Sequence, residues 1–82
     1  MPGPSREILV LAGDHCGPEV VAEALKVLSV IELHTGTTFN LTHELVGGCS
    51  IDKHGVPITG AVLTKAKQSD AVFFGSVGGP EW

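Results

Sequence analysis

The sequence predicts an α/β fold, the βαβαβ portion of a doubly wound, largely parallel sheet. Three observations carry that expectation: a continuous apolar run at Ile8-Leu9-Val10-Leu11, a helical-period segment directly after it, and a second apolar run at Ala71-Val72-Phe73-Phe74 beyond a further strand-like and a further helical stretch. Strands alternating with helices, joined by right-handed crossovers, build a parallel sheet with helices on its faces.

Each element follows from local chemistry. Ile8 to Leu11 is bounded by charge and glycine and has the unbroken apolar character of a strand buried on both faces, which predicts a central position. After the turn Gly13-Asp14-His15-Cys16-Gly17, Pro18 suits the first helical position, where its missing N–H is no loss, and Glu19 suits the positive helix end. Val20, Ala24, Val27, Leu28 and Ile31 recur at helical spacing and predict the face that covers the sheet, with Gly36 ending the helix. Phe39, Leu41, His43 and Leu45 alternate with Asn40, Thr42 and Glu44, the period of a half-exposed strand nearer an edge. Gly47 to Pro57 reads as a polar connection, and Ala61 to Gln68 as a weaker helix offering Ala61, Val62 and Ala66 to the sheet. Ala71 to Phe74 reads as a buried third strand. It delivers the backbone to Gly75-Ser76-Val77-Gly78-Gly79-Pro80, a strand-end loop of the kind that approaches ligands in open α/β sheets.

Eighty-two residues allow one small domain with a thin stability margin. The 43% hydrophobic and 17% charged composition suits an ordered chain rather than a disordered one. A net charge of -4, with the basic residues scattered at Arg6, Lys26, Lys53, Lys65 and Lys67, offers no stripe for a phosphate backbone, so no nucleic-acid partner is expected. The apolar run after the first residues is too short for a signal core or a membrane span. A soluble cytoplasmic protein with no membrane partner is therefore expected, and Cys16 and Cys49 read as free thiols. Those cysteines with His15 and His54 lack the paired spacing of a zinc set, and none is expected. His43 reads as a partly exposed sheet residue, His34 as a cation at a helix end, Asp52 and Asp70 as caps or turn formers, and Trp82 as a frayed terminal residue.

Gly13 to Glu19 lies between a strand and a helix N-terminus, where glycines permit close backbone approach and anions are favoured. Two glycines four apart are not the dinucleotide fingerprint, however, and no lysine stands where a phosphate loop requires one. Alone, the segment reads as a tight turn in which Gly17 closes the backbone and Asp14 satisfies backbone donors.

Taken with Val46-Gly47-Gly48-Cys49-Ser50-Ile51-Asp52 and Gly75-Ser76-Val77-Gly78-Gly79-Pro80-Glu81-Trp82, and with His54-Gly55-Val56-Pro57 between them, the chain resembles the N-terminal segment of the β-decarboxylating hydroxyacid dehydrogenases, the isocitrate/isopropylmalate dehydrogenase family. The similarity runs from Ile8 to Trp82 in order and spacing. The Val46 to Asp52 segment favours the isopropylmalate branch, and Asp14-His15-Cys16-Gly17-Pro18-Glu19 is similar to fungal members. The resemblance implies a disordered N-terminal tail over residues 1–7 and an incomplete N-terminal part of a dehydrogenase domain over 8–82. It further implies a homodimeric parent enzyme that uses NAD and Mg2+ or Mn2+ to oxidise and decarboxylate 3-isopropylmalate in leucine biosynthesis. Carried over residue by residue, it assigns Gly79, Pro80, Glu81 and Trp82 to the cofactor cleft and places His15 and Cys16 beside the nicotinamide. The family's proton-transfer Tyr and Lys pair, its arginine clamp and its metal-binding aspartates have no counterparts, since the sequence holds no Tyr and a single Arg, Arg6. No catalytic or metal residue is therefore assigned, and the 82 residues alone are expected to be inactive.

Overall fold

A computed structural model describes residues 4–82. The elements run β1 (Ser5–Gly13), α1 (Gly17–Thr35), β2 (Thr38–His43), α2 (Gly48–His54), α3 (Gly60–Gln68) and β3 (Ala71–Ser76). The sheet has the order β2-β1-β3 with both pairings parallel. The unbroken apolar run thus takes the centre, as its two-sided burial requires. Ile8 stands opposite Leu41 on one side and Ala71 on the other.

Side chains alternate across β1 into two layers. Ile8 and Val10 pack with Val21 of α1, joined by Ala12, Leu25, Phe39 and Phe73, while Leu9 and Leu11 pack with Val46 and with Val62 of α3, joined by Ile58 and Ala66. Helices therefore cover both faces. Leu9 and Val10, adjacent in sequence, are each 0% exposed and anchor opposite layers.

Four expectations need correction. The face of α1 that meets the sheet is set by Val21 and Leu25, not by Val20, Val27 and Ile31, which are exposed. The sequence offers adjacent apolar residues at Val20-Val21 and Val27-Leu28, so two overlapping stripes fit the helical period, and docking selects the one a residue later. Within Gly47 to Pro57, the polar connection contains the helix α2, which has too few turns and too little apolar character to register as a period. Ala71 to Phe74 is not buried: among the described residues β3 pairs with β1 alone, and Val72 and Phe74 remain exposed. Ser5 to Glu7, expected in the disordered tail, belong to β1, where Thr38 N–H donates to the carbonyl of Pro4 at 2.8 Å. Residues 1–3 of that expected tail lie outside the described residues.

Local chemistry closes the elements. Gly36 and Gly55 sit left-handed at the C-caps of α1 and α2, and the Thr59 hydroxyl accepts from Val62 N–H at the start of α3. Asp70 ties β3 to β1 by accepting Glu7 N–H at 2.7 Å, while its own N–H donates to the Glu7 carbonyl. His34 lies in the last turn of α1, and His43 is exposed at the end of β2.

Candidate functional site

From β1 the chain crosses through α1 to β2 on one side, then through α2 and α3 to β3 on the other. The order therefore reverses at β1, and the carboxyl ends of β1 and β3 flank the crevice where open α/β sheets take ligands. The first and third glycine turns rise from those two ends, and the second turn, opening α2, folds against them.

Asp14 joins all three. It is 4% exposed, and its carboxylate accepts Gly48 N–H at 2.7 Å and Cys49 N–H at 2.8 Å from the second turn, and Gly78 N–H at 2.9 Å from the third. Its own backbone N–H donates to the Ser76 carbonyl at 2.8 Å. The Gly78 hydrogen bond, followed by those of Cys49 and Gly48, outweighs the opposing burial and holds the carboxyl down to about 2 from its usual 3.8. Gly48 and Cys49 open α2, whose Gly47 cap has no side chain, so Asp14 supplies from a distant turn the acceptor that a neighbouring Ser or Asp would otherwise provide. Gly47 adopts φ 80°, and a β-carbon there would press on Asp14 Oδ2.

Around this buried knot runs an exposed rim. His15 has φ 50°, uncommon for a residue with a side chain and found more often where function demands it. Its Nε2 meets Glu81 Oε1 at 2.7 Å, and its ring lies 5.4 Å from that of Trp82 at a 45° tilt. The Trp82 indole N–H donates to Asp52 Oδ1 at 3.0 Å, and the indole itself covers Gly48. Trp82 is thus packed rather than frayed, and Asp52 serves as its partner rather than as a cap. A β-carbon on Gly79 would meet the ends of the Glu81 and His15 side chains, so glycine there lets the two approach each other without rearrangement.

The structure therefore brings together His15, Gly79, Glu81 and Trp82. Cys16 faces Ser76 instead, with Sγ 3.6 Å from Oγ, and Pro80 lies in the exposed turn between Gly79 and Glu81. Cys16 is also the N-cap of α1 and makes no side-chain capping bond, which leaves the positive end of a 19-residue helix without a side-chain acceptor from that residue. Both cysteines are free; Cys49 Sγ donates to the Val46 carbonyl at 3.2 Å. The sequence predicts Asp14 as an acceptor of backbone donors, and the structure bears this out, but its partners, Asp52 as the indole acceptor and Gly48 as its seat went unassigned. An acid between glycines in a strand-helix turn signals a backbone tie, but nothing in its neighbours names partners 34 and 64 residues away.

Among the described residues, no group of three or more His, Cys, Asp or Glu side chains could hold a metal ion, and no helix is long and apolar enough to cross a membrane. The described residues do not fit the divalent metal implied by the resemblance.

Comparison with known proteins gives a consistent result. The family model described as isocitrate/isopropylmalate dehydrogenase matches residues 7–82. The 3-isopropylmalate dehydrogenase of Hapsidospora chrysogena is 68% identical over 77 residues, covering 93% of this chain and 20% of that protein. The Neurospora crassa protein of the same name is 54% identical over 80 residues, covering 95% and 22%. Among solved structures, isocitrate dehydrogenase from Methylococcus capsulatus superposes with a TM-score of 0.79 at 27% identity over 92% of this chain and 21% of that one. A beta-decarboxylating dehydrogenase from Thermococcus kodakarensis superposes at 0.77 with 32% identity and the same coverage. The chain spans about a fifth of the length of the curated relatives it matches. With nearly every residue inside the family match and three parallel strands in the family's arrangement, the chain belongs to the isocitrate/isopropylmalate dehydrogenase family.

Proposed function

We propose that these residues form the nucleotide-facing N-terminal part of a cytoplasmic, homodimeric 3-isopropylmalate dehydrogenase of leucine biosynthesis. The whole enzyme oxidises and decarboxylates 3-isopropylmalate with NAD and Mg2+ or Mn2+. One observation carries the reading: His15, Glu81 and Trp82 gather on one exposed rim, at the crevice where the strand order reverses and beside the N-terminus of α1. NAD supplies the hydride acceptor when bound. An indole and an imidazole offer faces to an aromatic ring, and a carboxylate suits ribose hydroxyls. His15, Cys16, Gly79, Pro80, Glu81 and Trp82 are the residues that would hold it.

The same residues lack the means to complete the reaction. Oxidation requires a base for the substrate hydroxyl, and decarboxylation requires stabilisation of the developing enolate. His15 and Glu81 are bonded to each other on the rim, and the chain has neither a Tyr nor an arginine near the site. The 82 residues by themselves accordingly give no turnover. Exchange of this chain for the matching segment of the Neurospora crassa relative tests the assignment: NADH formation from 3-isopropylmalate supports it, and a folded but inactive chimera opposes it. The isolated chain should form no NADH from the same substrate above a protein-free blank.

A further inference from the structure

The rim's two halves come from opposite ends of the chain. His15 belongs to the first turn and Glu81 and Trp82 to the third, and the direct contacts between them are exposed, with His15 and Glu81 side chains 52% and 50% accessible. An exposed pair of this kind does not hold two loops in register, because water competes for both partners and side-chain entropy opposes their alignment. The buried tie beneath them is of another kind. Asp14 Oδ2 accepts from Gly48 and Gly78 together, and Oδ1 accepts from Cys49, so one side chain engages donors in both other turns. Gly48, gripped at its N–H, is also the seat of the Trp82 ring.

We propose that Asp14 is the positioning residue of the nucleotide rim: by gripping the Gly48, Cys49 and Gly78 N–H groups with one carboxylate, it sets the distance between His15 and Trp82. The proposal rests on the reading of the rim as nucleotide-facing only for its functional consequence; the geometric part stands on its own. Asn is too mild a change, because its amide oxygen in the Oδ2 place still accepts from both Gly48 and Gly78 and only the Cys49 bond is lost; Ala removes both acceptor oxygens and leaves all three N–H groups without them. The turns should then separate while the middle of β1 around Leu9 and Val10, several residues before Asp14, keeps its ladder.

The test compares wild type with Asp14→Ala by NMR and by NAD titration. The expected result is loss of the through-space signals between the His15 and Trp82 rings, with the amides of Leu9 and Val10 still protected from exchange. Weakening of NAD binding by about tenfold or more should accompany it, the scale of a buried donor left unpaired. Retention of the ring contact in the folded variant overturns the proposal. Should Asp14→Ala fail to fold, hydrogen exchange in wild type decides: Gly48, Cys49 and Gly78 amides opening together support the common grip, and Gly78 exchanging freely while Gly48 and Cys49 stay protected overturns it. A wild type that does not respond to NAD refutes the nucleotide reading, while the ring contact still decides the role of Asp14.

Discussion

The indole of Trp82 lies against Gly48, on the spot a β-carbon would fill, while its Nε1 donates to Asp52 one turn further along the same helix. The last residue of the chain thereby rests on the start of α2, and the absence of a side chain at position 48 makes room for it.

Gly48→Ala separates sterics from propensity. Alanine is the better helix former, by at most about 1 kcal/mol at this first helical position, whereas the new methyl occupies the place of the indole. The ring should swing out, lose its Asp52 partner and show red-shifted emission, while net stability changes by less than about 1 kcal/mol as the two effects offset. Unshifted emission would show that the ring does not rest there.

Asp14 should impose an acid limit on stability. Its folded carboxyl is held down to about 2 against an unfolded value near 3.8, so its contribution is present above pH 3.8 and is lost as the pH falls through 2. Urea midpoints measured from pH 6 to pH 2 should drop across that window in wild type and drop less in Asp14→Asn. Parallel profiles for the two proteins would contradict the assignment.

Core energetics should be concentrated in β1. Leu9, fully buried against Leu11, Val46 and Val62, should cost about 2–5 kcal/mol as Leu9→Ala, enough to unfold a domain this small. Leu33 is 85% exposed on α1, and Leu33→Ala should stay within about 0.5 kcal/mol by chemical denaturation.

These contrasts mark what the sequence could and could not disclose. The centre strand, the α1 boundaries and the edge position of β2 were legible because each depends on short-range chemistry: an apolar run, Pro18 and Gly36, and a period of two. The side of α1 that docks was ambiguous because Val20-Val21 and Val27-Leu28 satisfy the same helical period. Helix α2 was hidden because its start is capped by Asp14 from another turn, and β3 read as buried because Ala71 to Phe74 are apolar whether or not a second strand lies beside them. Within the candidate site, motif order pointed to His15, Gly79, Glu81 and Trp82. The tie beneath them depends on contacts closed only by the fold.

The N-cap of α3 gives a local check on the second layer. Thr59→Ala removes the hydroxyl that accepts Val62 N–H and should cost about 1 kcal/mol, with fraying confined to the first turn of α3 in hydrogen exchange. An unchanged denaturation midpoint would mean that the cap contributes nothing.

The most direct measurement is a titration of the 82-residue chain with NAD, followed by fluorescence and corrected for nucleotide absorbance. With one Trp and no Tyr, the signal comes from Trp82 on the rim itself. The account expects a saturable change with a midpoint near or below about 1 mM. A flat signal at nucleotide concentrations well beyond that value would contradict the claim that these residues face the cofactor.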